Sequence, residues 1–83
     1  MTATARIRRI GFVAFEGVEA LDVTGPWEVL HTAGLYAGDV PQLLCVTADG
    51  GDVRSSSGLS FRADASIGEV DGLDTLIVAG GIG

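Results

Sequence analysis

Three short apolar runs set the terms on which this chain of 83 residues can fold. Phe12-Val13-Ala14-Phe15, Leu43-Leu44-Cys45-Val46 and Leu76-Ile77-Val78-Ala79 each proceed without the polar–apolar alternation of a half-exposed strand. A strand with no polar face needs cover on both sides, the condition met inside a parallel sheet flanked by helices. The first run extends back to Ile7, the second falls within Gln42 to Ala48, and Thr75 to Ala79 reads as the clearest central strand of the chain. The expected fold class is therefore α/β with a parallel sheet.

From Val18 the pattern turns helical, with Leu21, Val29, Leu30 and Ala33 along one broad face. Two starts remain open. Gly25 can cap the helix, placing Pro26 at its first position and Glu28 at its third, or the helix begins near Val18 and Pro26 kinks it. In both cases Asp22 lies near the carboxyl end of the first strand. The helix should end between Gly34 and Gly38, shortly before Pro41. Strand, helix and strand then make one right-handed βαβ unit. Asp49-Gly50-Gly51-Asp52 reads as a turn and Val53 to Ser55 as a short edge or hairpin strand. Leu59, Phe61 and Ala63 alternate with polar residues, the mark of a half-exposed strand. Ala65 to Gly72 should form a helical turn into the last strand. No repeat, low-complexity tract, linker or second domain is visible.

The formal charge of −6 opposes nucleic-acid binding through this segment, because phosphate contacts need a basic face. Arg6, Arg8 and Arg9 form the one basic cluster and read as solvated residues leading into the first strand. A single cysteine excludes an internal disulfide or a cysteine zinc site, and His31, on exposed helix surface, has no histidine or cysteine partner in the pattern, so no metal is expected. No run approaches the ~20 apolar residues of a membrane span, and Met1 to Ile7 does not read as a secretory leader, so a cytoplasmic protein without a membrane partner is expected. Typical domains run to roughly 100–150 residues. The last strand here runs into glycines with no helix to cover it. Residues 1–83 are thus expected to be the N-terminal part of a larger domain.

Ligands of open α/β sheets bind outside the carboxyl ends of the strands. Asp22 sits there as an acid that can cap the helix N-terminus or partner a nucleophile from another loop. Position alone leaves both readings standing. Gly80, Gly81 and Gly83, with Ile82 among them, can present backbone N–H groups to an anion or an oxyanion, or can form a simple turn. The lysine and the serine or threonine of a phosphate loop are absent. Cys45, inside an apolar run, reads as a buried hydrophobe. Ser55, Ser56 and Ser57 lack the strand-to-helix elbow of a hydrolase nucleophile. Trp27 and Phe61 read as core.

The segments from Gly11 to Leu30, with Leu21-Asp22-Val23-Thr24-Gly25-Pro26-Trp27-Glu28-Val29, then Val53-Arg54-Ser55-Ser56-Ser57-Gly58-Leu59 and Asp74-Thr75-Leu76-Ile77-Val78-Ala79-Gly80-Gly81, resemble the DJ-1/PfpI superfamily, also called class I glutamine amidotransferase-like. Within it the chain is similar first to N-terminal domains of AraC-type transcriptional regulators and second to isocyanide hydratases. The resemblance implies a flavodoxin-like sandwich, a homodimer, no cofactor, and a pocket for a small-molecule effector or substrate at the carboxyl edge. It makes Asp22 the acid that contacts a cysteine nucleophile, Gly81 a backbone donor to an oxyanion hole, and Gly80, Gly81 and Ile82 the ligand-binding loop. The nucleophile belongs on an elbow that would follow Gly83, and Cys45 does not match it. The chain alone is therefore expected to be inactive, and any contact with DNA would come from C-terminal helices outside it.

Overall fold

In the computed structural model, which describes residues 7–81, four parallel strands form one sheet and a single long helix packs on it. β1 (Arg9–Val13), α1 (Ala20–Ala37) and β2 (Gln42–Thr47) come first, followed by four short strands, β3 (Val53–Arg54), β4 (Ser60–Phe61), β5 (Ala65–Ser66) and β6 (Thr75–Val78). The sheet order is β5-β2-β1-β6, and β3 pairs with β4 as a separate antiparallel hairpin. Parallel pairing sets Phe12 beside Cys45 on one side and Ile77 on the other.

Residues aligned across parallel strands share a face. Ile10, Phe12, Leu43, Cys45 and Ile77 therefore point together toward α1, where they meet Val23, Trp27 and Leu30 in the core. The Phe12 and Trp27 rings lie 5.1 Å apart at a tilt of 39°, a favoured aromatic arrangement that locks helix to sheet. On the opposite face Gly11 makes room for the side chain of Leu73, whose Cδ1 would lie 2.9 Å from a Cβ added there.

The second of the two helix starts left open by the sequence is the nearer one: α1 begins at Ala20, with Glu19 as its cap residue and Pro26 inside it. Proline has no N–H, so the Asp22 carbonyl loses its partner one turn on. The helix ends where expected, at Gly38, whose φ of 73° is left-handed and whose N–H returns to the last turn. Gly34 is buried against the return of the chain, with Val40 Cα at 2.8 Å from its would-be Cβ.

Three expectations change. β6 lies at the edge of the sheet among the described residues, with Leu76 53% and Val78 68% exposed, so the strand that reads as most central has one covered neighbour, β1. Ala65 and Ser66 form a strand on β2 before the helical turn, which is limited to the contacts of Glu69 and Val70 N–H with the Ser66 carbonyl. Arg9 is a tether as well as a charge: its backbone N–H bonds Asp74 at 2.8 Å, its Nε bonds Gln42 at 2.9 Å, and its guanidinium reaches the Asp71 carbonyl. Arg8 lies 3.4 Å from Asp39 as a solvent-exposed ion pair. Arg6, Ile82 and Gly83 lie outside the described residues.

Candidate functional site

The chain leaves β1 through Ala14 and Phe15, turns at Gly17, whose φ is 86°, and enters α1. Val18, at the centre of that turn, is 0% exposed and pairs on both sides, parallel with Ser55 and antiparallel with Gly81. Three remote loops are thereby brought together at the carboxyl edge. The Ser56 N–H donates to the Val18 carbonyl at 2.9 Å, and the Glu19 N–H donates to the Gly80 carbonyl at 2.8 Å. With strands spaced ~4.8 Å apart, the serine loop and the glycine loop stand ~10 Å from each other across Val18.

Asp22, in the first turn of α1, accepts the Gly80 N–H through Oδ2 at 3.0 Å. Its side chain does not cap the helix; no side-chain cap bond is formed at that end. The acid and the glycine loop, 58 residues apart in sequence, are thus one unit. This contact uses the Gly80 donor, while the Gly81 N–H has no acceptor among the described residues. Asp22 remains exposed, and its Oδ1 likewise makes no hydrogen bond there.

Gly81 is needed for this approach, and Gly80 eases it. A Cβ on Gly80 would sit 3.0 Å from Asp22 Oδ2. One on Gly81 would sit 2.6 Å from the Gly17 carbonyl oxygen and 2.8 Å from the Glu19 nitrogen, at a φ of 151° that side chains disfavour. An exposed carboxylate oxygen can accept a hydrogen bond or hold a proton, and an unengaged backbone donor can serve an anion or a developing oxyanion.

The serines contribute more than the sequence suggested. Ser55 is buried, accepts the Leu59 N–H at 3.0 Å and lies 3.1 Å from the Ser57 hydroxyl. Ser56 and Ser57 are exposed on the same rim. Nothing local marks them, because their place depends on Val18, a residue more than thirty positions earlier. Cys45 is buried away from the rim; burial first, then the Asp64 and Asp52 carboxylates, push its thiol above the ordinary range. His31 is exposed on α1. No group of three His, Cys, Asp or Glu side chains among the described residues could hold a metal ion. No helix among them is long and apolar enough to cross a membrane.

Comparison with known proteins gives this arrangement a context. The DJ-1/PfpI family pattern matches residues 8–83. An uncharacterised protein from the cpoL 5′ region of Streptomyces lividans is 40% identical over 78 residues, covering 94% of this chain and 55% of that protein. The isonitrile hydratase of Pseudomonas putida is 37% identical over 75 residues, covering 90% of this chain and 31% of the enzyme. Among solved structures, an AraC family transcriptional regulator from Pseudomonas putida superposes with a TM-score of 0.77 at 33% identity, over 90% of this chain and 48% of the regulator. A DJ-1 superfamily protein from Agrobacterium tumefaciens gives a TM-score of 0.71 at 26% identity, over 90% of this chain and 38% of that one. The chain spans about half or less of the length of these relatives.

Proposed function

Because the chain belongs to the DJ-1/PfpI family, we propose that it forms the N-terminal part of a ligand-sensing and dimerisation domain of an AraC-type transcriptional regulator. The observation that carries the reading is the contact of Asp22 with Gly80 at the carboxyl edge, which leaves one carboxylate oxygen and the Gly81 N–H without a hydrogen bond among the described residues. Likeness to the Pseudomonas putida regulator supports it. The charge of −6 fits a segment that receives a small effector while other parts of the protein contact DNA. In this reading Asp22 accepts a hydrogen bond from the effector and Gly81 donates one. Cytoplasmic placement and a homodimer belong to the same reading.

Asp22→Asn in the intact protein tests it. The amide keeps the shape and one acceptor but loses the charge, so effector-dependent transcription should change while effector-free operator affinity stays within about twofold. A large loss of operator binding without effector would refute the sensing role.

The likeness to the isonitrile hydratase favours a second reading, a thiol-dependent enzyme acting on a small electrophile. A cysteine outside this chain would add to the isonitrile carbon, Gly81 would donate to developing negative charge, Asp22 would pass the proton to the adduct, and water would then hydrolyse the thioimidate, releasing the formamide and the free thiol. Incubating the intact protein with an aryl isonitrile and following formamide production decides it. Turnover that falls at least about tenfold in Asp22→Asn supports hydration; absence of turnover eliminates it.

A further inference from the structure

A second concavity lies apart from the acid and glycine loop, between the sheet side of α1 and the β3–β4 hairpin. Its volume is about 350 Å³, within the roughly 300–1,000 Å³ of small-molecule pockets. Val23 and Trp27 form the helix wall, Phe61 the hairpin wall and Cys45 the floor, so the interior is apolar and has aromatic sides. Charges stand at the mouth. Glu28 comes from the helix, and Arg62 and Asp64 from the hairpin side.

These charges are not spent on one another. Neither Glu28 nor Arg62 forms an ion pair among the described residues. Asp64 Oδ2 accepts the Cys45 N–H at 2.7 Å, which fixes the carboxylate over the floor while Oδ1 makes no hydrogen bond among the described residues. Two carboxylates against one guanidinium leave the mouth net negative. Burial first, then the Asp64 carboxylate of this cleft and Asp52 beyond it, raise the Cys45 thiol. An aromatic face beside carboxylates favours a cation.

We propose that this cleft is a binding site for a small amphipathic amine, with a ring-sized apolar body against Trp27 and Phe61 and an ammonium group met by Glu28 and Asp64. Arg62, on the opposite charge, discriminates against dications and orients any acidic substituent outward. The site is independent of the Asp22–Gly80 unit and of the function proposed for it.

Isothermal titration of the intact protein with phenethylamine and with 3-phenylpropionate, matched in body and opposite in charge, tests the assignment. The amine should bind saturably and the acid at least about tenfold more weakly. Glu28→Gln, a change at an exposed side chain without a partner, should weaken the amine about fivefold. Arg62→Gln should leave the amine as tight or tighter, and Asp22→Asn should leave it unchanged. No saturable binding of the amine, equal binding of the acid, or an unaltered Glu28→Gln titration would each overturn the proposal. Because Asp22→Asn serves as the control, failure here is distinguishable from failure of the sensing role.

Discussion

Gly81 is the position where a single methyl group should do most damage to the rim. Alanine there places Cβ 2.6 Å from the Gly17 carbonyl oxygen, 2.8 Å from the Glu19 nitrogen and 2.9 Å from Val18 Cα, all of them backbone. None of these can rotate aside. Either the 80–81 loop or the 17–19 turn must move, and Val18 holds the serine loop through the same turn. A φ of 151° adds conformational strain of about 1–3 kcal/mol, and displacement of packed backbone adds about 1–3 kcal/mol. The expected loss is about 2–6 kcal/mol. Gly80→Ala is the control, because its Cβ meets the tip of an exposed carboxylate at 3.0 Å, which can swing away at a cost of ~1 kcal/mol. Differential scanning calorimetry of the intact protein should therefore give a Tm for Gly81→Ala lower than for Gly80→Ala by several degrees, at roughly 2–4 °C per kcal/mol. Equal melting temperatures would refute the claim that backbone crowding at Val18 defines the site.

Phe12→Ala should destabilise by about 3–5 kcal/mol in chemical denaturation, because Phe12 is 1% exposed and anchors the Trp27 contact; a loss below ~1 kcal/mol would mean the helix is held elsewhere. Cys45 predicts alkaline sensitivity: its folded thiol titrates above the ordinary 9.0, so the unfolded state gives up its proton first and stability falls as pH rises past that value. Cys45→Ala should flatten that decline, measured as denaturation midpoints between about pH 8 and 10. Gly34→Ala should lower the Tm by several degrees, since its Cβ would meet Asp39 O and Val40 Cα at 2.8 Å, both backbone. The 83-residue polypeptide by itself, with Leu76 and Val78 exposed on an open edge, should bind a hydrophobic dye and associate; a sharp cooperative melt of a soluble monomer would contradict this.

Much of the architecture was legible in local pattern. Uninterrupted apolar runs mark β1 and β2 because a strand covered on both faces has no polar side to show, the same kind of run marks β6 although Leu76 and Val78 are exposed among the described residues, and Gly38 marks the end of α1 because the left-handed cap excludes most side chains. The helix start was ambiguous because a proline can open a helix or sit within one, and the tie is broken by Glu19, whose N–H bonds Gly80 rather than by anything in the helix itself. β5 left no local trace: two residues, Ala65 and Ser66, are extended because Val46 and Thr47 offer them backbone partners.

The sequence by itself determined an α/β chain, an acid near the end of the first strand and a glycine loop after the last, since each depends only on periodicity and on residues adjacent along the chain. Tertiary structure alone decided that Asp22 would bond Gly80 instead of capping its own helix, that the serine loop would stand across Val18 from the glycines, and that Trp27, Cys45 and Phe61 would enclose a cleft. Those relations are set by strand order and register. Backbone hydrogen bonding is nearly indifferent to side-chain identity, so which remote segment reaches Val18 is fixed by packing of the whole sheet against α1.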